Sequence, residues 1–215
     1  MAVLKSSRII LPVLFIAVFA FSRIPGLMPL NFSVAYAFAF CAGVYFRGAT
    51  AWWLPLGVML ATDIGLNCYY ASQGISVWDL ANLENLAFNY VAYAGLIFLG
   101  RRFKPQASWL KLVGGGLFGA ILFYLITNTA SWLFNPFHNP EYTKTLAGWI
   151  RALTQGTGGY PSTWEFFRYT LLSGGLFTAL FVATEKLASE SPAEKTAGVR
   201  EPAAEAEAEP EEAKV

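Results

Sequence analysis

The chain has 215 residues, of which 55% are hydrophobic, 16% aromatic and only 13% charged, and its mean hydropathy is +0.45. One soluble core of this size cannot hide that much apolar surface, so the composition points to an integral membrane protein. A formal net charge of +1 and short, scattered basic clusters exclude a nucleic-acid binder, which needs a concentrated basic face. The two cysteines, Cys41 and Cys68, make neither a disulfide framework nor a metal finger.

The first apolar run, Ile9 to Phe21, follows Lys5 and Arg8. That pattern fits a signal peptide or a first transmembrane helix. The helix is favoured, because the cleavage triplet Ala20-Phe21-Ser22 is followed at once by Arg23 and Pro25, and the membrane character persists beyond it. Five further apolar segments follow: Phe32 to Phe46, Ala51 to Leu66, Leu86 to Leu99, Leu110 to Phe134 and Trp164 to Leu187. Each is near the ~20 residues that cross a bilayer, with Tyr45 and Tyr90 as interface anchors for the two shorter ones. Pro55 falls in the first turns of the third helix, where a missing backbone donor costs least. The expected fold is all-α, a six-transmembrane-helix bundle over residues 1–188.

Basic residues set the expected orientation. Lys5, Arg8, Arg47, Arg101, Arg102, Lys104, Lys111 and Lys186 all fall on one side of such a bundle, which is then the cytoplasmic side of the cell inner (plasma) membrane, with both termini inside. The outer connections, SRIPGLMPLNFS, CYYASQGISVWDLANLEN and NPFHNPEYTKTLAGWIRALTQGTGGYPS, are longer and rich in aromatic, amide and glycine residues. They read as an ordered lid over an outward-facing site. Residues 189–215 are rich in Ala, Glu and Pro with nothing to bury, and are expected to form a disordered cytoplasmic tail.

The chain offers little for catalysis. Its one histidine, His138, has only Glu141 nearby, and two ligands do not close a metal site. No nucleophile stands with a paired acid and base, so no enzyme, cofactor or metal is expected. The glycines Gly114, Gly115, Gly116 and Gly119 lack the lysine of a phosphate-binding loop, and Gly115 and Gly119 have the spacing of a helix-packing face. Any ATP-driven step therefore belongs to another subunit. Ala35, Ala39 and Gly43 recur every four residues on the second helix, a small-residue ridge for helix packing or partner docking.

Polar groups gather instead toward the outer ends of the helices. Asp63 and Asn67 lie one turn apart on the third helix, and Asn128, Ser131, Trp132 and Asn135 follow helical spacing on the fifth. With Asn31 and Arg23 in the first outer loop, and Trp164 and Arg168 at the start of the sixth helix, they can line a pocket with apolar walls and a few convergent polar groups. A plainer reading stands beside it: Asn and Ser join helices, and Asp63 pairs structurally with Arg23 or Arg168. Cys68, beside Tyr69 and Tyr70, is a soft ligand for a metal-centred substrate on one reading and bland on the other.

The run Asn31-Phe32-Ser33, Gly43-Val44-Tyr45-Phe46-Arg47, Leu54-Pro55-Leu56, the Asp63 helix, Thr127-Asn128 with Trp132, and Thr145-Leu146-Ala147-Gly148 resemble the DUF6580 membrane family of putative transport proteins. Through it they resemble the substrate-binding S components of energy-coupling-factor (ECF) vitamin transporters. The resemblance spans roughly Arg23 to Leu187. It implies a six-helix S component whose outer loops close over a vitamin or other micronutrient, with Asn31, Asp63, Asn67, Asn128, Trp132 and Trp164 around the ligand. It also implies a transmembrane coupling subunit and ATPase subunits as partners. The chain departs from that pattern in carrying its small-residue face on the second helix rather than the first. A non-transport membrane scaffold or cell-envelope assembly protein is the alternative.

Overall fold

The computed structural model describes residues 13–189. Within them the chain forms α1 (Val13–Ser22), α2 (Ala35–Tyr45), α3 (Thr50–Ser72), α4 (Leu80–Gly100), α5 (Trp109–Phe134), α6 (Leu146–Thr154) and α7 (Thr163–Ser189), with no strand among the described residues. The expectations for Lys5 and Arg8 and for the acidic tail beyond Ser189 lie outside the described residues.

The bundle is built around α2. Its sequence, AYAFAFCAGVY, is apolar on every face, and such a helix must be buried all round. Every residue from Ala35 to Val44 is buried, with α3, α4, α5 and α7 packed about it. At 11 residues it is about 16 Å long, well short of a bilayer's apolar thickness. The expected segment from Phe32 to Phe46 thus holds a short helix enclosed by its neighbours, entered through the irregular segment 23–34.

The small-residue ridge lies inside this core. Ala35 and Ala39 are 1% and 0% exposed, so the chain's own helices cover the face that could have served for docking. A Cβ on Gly43 would run into the carbonyl oxygen of Ile97, and one on Gly100 into that of Phe40. Backbone meets backbone where α2 crosses α4.

Aromatic side chains close the core on the other sides. Phe15 of α1 stacks on Phe181 of α7 with ring centroids 3.8 Å apart, and Phe19 stacks on Phe38 of α2 at 5.3 Å. The glycines of α5 divide between neighbours. A Cβ on Gly115 would come within 2.7 Å of the Phe40 and Phe103 rings, and one on Gly116 would strike Thr178 of α7, whereas Gly119 leaves ordinary contact distance to Leu96.

Thr178 is fully buried and its Oγ1 finds no partner among the described residues. A buried hydroxyl without a partner is a liability that an isosteric methyl removes. Thr178→Val is accordingly expected to hold or raise the thermal midpoint; a clear drop would mean that the hydroxyl does bond.

The outward faces are apolar. On α3 Trp53, Leu60 and Ile64, and on α7 Leu172, Leu176 and Leu180, are exposed at helical spacing. Soluble monomers rarely show such continuous apolar rows. Among the described residues α5 and α7 are long and apolar enough to cross a membrane. At 23 and 21 residues α3 and α4 have the length, but Asp63 and Asn67 in one and Asn82, Glu84, Asn85 and Asn89 in the other lower their apolarity.

Two hydrogen bonds fix one end of the bundle. Arg101 Nη1 donates to the Gly48 carbonyl at 3.3 Å, and Lys186 Nζ to the Ala107 carbonyl at 3.0 Å. The α2–α3 and α4–α5 turns and the last turns of α7 therefore meet there, bringing Arg47, Arg101, Arg102, Lys104, Lys111 and Lys186 to the same end.

The connections expected on the outer side are more structured than the sequence suggested. Helices α3 and α4 run on into the expected loop from Cys68 to Asn85, leaving only 73–79 to join them. Within the stretch expected as a loop from Asn135 to Ser162 lies α6, started by Thr145, whose Oγ1 accepts from the Gly148 N–H at 3.1 Å. The helix buries Gly148 and Ala152, one turn apart.

Candidate functional site

At the end opposite the basic cluster, α4 is aimed by its N-cap. Asp79 Oδ1 accepts from the Asn82 N–H at 3.0 Å, and Oδ2 from the Asn82 side-chain amide at 2.7 Å. These bonds, the backbone one first, hold the Asp79 carboxyl below the usual carboxylate range. The helix that follows places Asn85 and Asn89 one turn apart on one side.

The C-terminal part of α5 faces them. Asn128 Nδ2 donates to the Tyr124 carbonyl of its own helix at 2.9 Å, a bond that fixes the amide without using its oxygen. The helix stops at Asn135, which adopts a left-handed backbone with φ 48°. Asn135 clasps Asn139 at both ends of its side chain, accepting from the N–H at 2.8 Å and donating to the carbonyl at 3.0 Å. It caps the helix rather than facing the cleft.

A cleft of about 460 Å³ opens between these elements and the 23–34 segment. Asn31, Asn85, Asn89 and Asn128 supply amides to its lining, Thr127 and Ser131 hydroxyls, and Arg23 the only formal charge in the described lining. Tyr36, Tyr93 and Phe123 also line it. They form one aromatic wall, with Phe123 4.7 Å from the Tyr36 ring and 5.1 Å from the Tyr93 ring. Asn31 has a left-handed backbone, φ 60°, and its carbonyl accepts from the Tyr36 hydroxyl at 3.3 Å.

Of the residues singled out from sequence, Asn31 and Asn128 meet in this cleft, while Asp63, Asn67, Trp132 and Trp164 do not line it. Asp63 is 9% exposed, ion-paired through Oδ1 with the Arg23 Nη2 group and accepting at Oδ2 from the Tyr90 hydroxyl at 2.8 Å. The pairing with Arg23, one of two options open from sequence, ties the 23–34 segment to α3 and α4. Asn67 is half-buried on the same helix. Trp132 Nε1 donates to the Thr143 carbonyl at 2.7 Å, and Trp164 is exposed with its ring 5.4 Å from that of Phe167. Arg168 is exposed.

Asn85 and Asn89 were missed. The expected fourth span began at Leu86, which put Asn85 in a loop; the recurrence of Asn82, Asn85 and Asn89 at helical spacing was the signal.

Helix α6 is held against α5 beside the cleft. The Tyr124 hydroxyl donates to the Leu153 carbonyl, Trp149 Nε1 to Thr129 Oγ1 at 3.0 Å, and Lys144 Nζ to the Leu133 carbonyl at 2.6 Å, where a cation suits the end of α5. Glu141 accepts the Gly158 N–H at 3.0 Å, which keeps its carboxyl below the usual range. His138 is exposed with φ 53°, and no group of three His, Cys, Asp or Glu able to hold a metal occurs among the described residues.

Amides and hydroxyls above an aromatic wall can hold a small molecule by hydrogen bonds and stacking. Fold and site together define an all-helical protein with apolar outer faces, two helices fit to span a membrane and a polar cleft at one end. The chain belongs to the family described as "Family of unknown function (DUF6580)", whose profile matches residues 4–196. No curated protein and no solved structure matches it.

Proposed function

We propose that this chain is a multi-pass membrane protein that captures a vitamin or other micronutrient from outside the cell, resembling an ECF transporter S component. A separate transmembrane coupling subunit and ATPase subunits would drive uptake, and this chain itself would carry out no catalysis. The observation that carries the reading is the asparagine-lined cleft at the end of the bundle opposite the basic cluster. Cytoplasmic loops hold an excess of Lys and Arg, so the cleft faces outward and Arg47, Arg101, Arg102, Lys104, Lys111 and Lys186 face the cytoplasm. Exposed apolar rows on α3 and α7 support burial in lipid. In this arrangement α1, α2, α3, α4, α5 and α7 make the six passes, α2 being sheathed by the others, and both termini lie inside.

Mass spectrometry of small molecules retained through purification tests it. Wild type is expected to hold a compound that Asn89→Ala and Asn128→Ala hold about tenfold less well, the effect of losing roughly one hydrogen bond of 1.4 kcal/mol, with the thermal midpoint little changed. Equal retention by wild type and both variants would sink the assignment of the cleft.

A membrane scaffold remains the second reading, favoured by the Arg23–Asp63–Tyr90 network, which joins the 23–34 segment to α3 and α4. On that reading the Asn89 and Asn128 variants lose stability and no compound is recovered from any of them.

A further inference from the structure

We propose that the cleft takes an uncharged, flat heterocycle bearing amide or lactam groups and discriminates against carboxylates. The proposal rests on the capture reading and names the class of compound captured. Arg23 is the one formally charged residue in the described lining, and its guanidinium is already matched by Asp63. Tyr90 completes the carboxylate from the far side, donating at 2.8 Å. The wall therefore presents no net charge. An anion entering a partly dehydrated cleft would find no cation free to neutralise it, and a cation would find no free carboxylate; either would lose hydration without compensation.

The donors and acceptors that remain suit a neutral partner. A primary amide offers both an N–H₂ and a C=O. Asn85 and Asn89 have no side-chain partner among the hydrogen bonds of the described residues, and Asn128 commits only its Nδ2. A lining that offers both donors and acceptors matches a lactam or carboxamide, which carries both. The wall of Tyr36, Tyr93 and Phe123 offers ring surface for a planar body to stack on.

Matched probe pairs separate charge from shape: nicotinamide against nicotinate, and uracil against orotate. Saturation-transfer NMR on the full chain in nanodiscs is expected to detect the neutral member of each pair at least about tenfold more tightly bound than its carboxylate. Asn85→Ala/Asn89→Ala should abolish the neutral signals while circular dichroism shows the helices intact. Asp63→Asn releases the guanidinium and should move the preference about tenfold toward nicotinate and orotate; should that variant fail to fold, Arg23→Gln/Asp63→Asn, which removes both charges, should keep the wild-type preference. Carboxylates that bind wild type as tightly as the neutral probes, in a manner the asparagine double variant abolishes, would overturn the charge argument and leave the capture reading in place. Absence of binding by all four probes, with no retained compound in the purified protein, would overturn both.

Discussion

Arg23→Ala is expected to lower stability by about 3 kcal/mol, the usual scale for removing one partner of a largely buried ion pair. The reason is asymmetry. Side-chain exposure is 25% for Arg23 and 12% for Asp63, so alanine at 23 leaves a carboxylate with the Tyr90 hydroxyl as its remaining hydrogen-bond donor. Asp63→Ala should cost less, about 2 kcal/mol, because the guanidinium left behind can turn toward water in the cleft. The double variant should fall short of the sum of the two, since neither residual charge is then stranded. Thermal unfolding of the four proteins of this cycle in one detergent gives the coupling, and strict additivity would show that the pair does not act as one.

Gly43→Val carries the other large effect. The Cβ that valine adds points at the Ile97 carbonyl, and Gly100 mirrors it against the Phe40 carbonyl. A backbone carbonyl inside a helix cannot swing aside as a side chain does, so α2 and α4 must separate and lose the packing around Phe40 and Leu96. A loss of about 3 kcal/mol, at the upper end of overpacking effects, is expected, with much less folded protein recovered. Gly57 supplies the control. Nothing lies within 4 Å of a Cβ placed there, and Gly57→Ala should be neutral or gain up to about 1 kcal/mol from helix propensity. Size-exclusion profiles and thermal midpoints of the two variants check the contrast; equal behaviour would contradict the close approach of the two backbones.

Helix existence was legible in apolar runs, because a run of that length has few other solutions. Burial was not. The composition of α2 announces an apolar helix, but only the placement of its neighbours shows it to be an axis rather than a wall. The segment before Phe32 read as a loop and is one, whereas α6 was hidden because its nine residues sit among glycines, prolines and polar residues. Leu146, Trp149, Ile150 and Leu153 at helical spacing after Thr145 were the local signal for it.

The site divides along similar lines. Asn31 and Asn128 could be placed at one end from topology alone. Asp63 was recognised as costly in an apolar helix, and the structure supplies its partners, yet cost alone does not tell a ligand contact from an ion pair. Which of the two obtained depended on the path of residues 23–34, irregular backbone whose course no periodicity encodes. Asn85 was lost to a helix boundary set six residues too late, at Leu86 rather than Leu80, and Asn89, inside the expected span, was not connected with it.

The sheathing of α2 bears on how the chain is made. Synthesis delivers α2 before α3, α4, α5 and α7, the helices that enclose it, and Phe15 and Phe38 reach their final packing only once Phe181 or Phe19 stands beside them. The innermost helix is thus among the first to emerge and the last to be closed in. Until α7 arrives, the growing chain holds its future core open on one side.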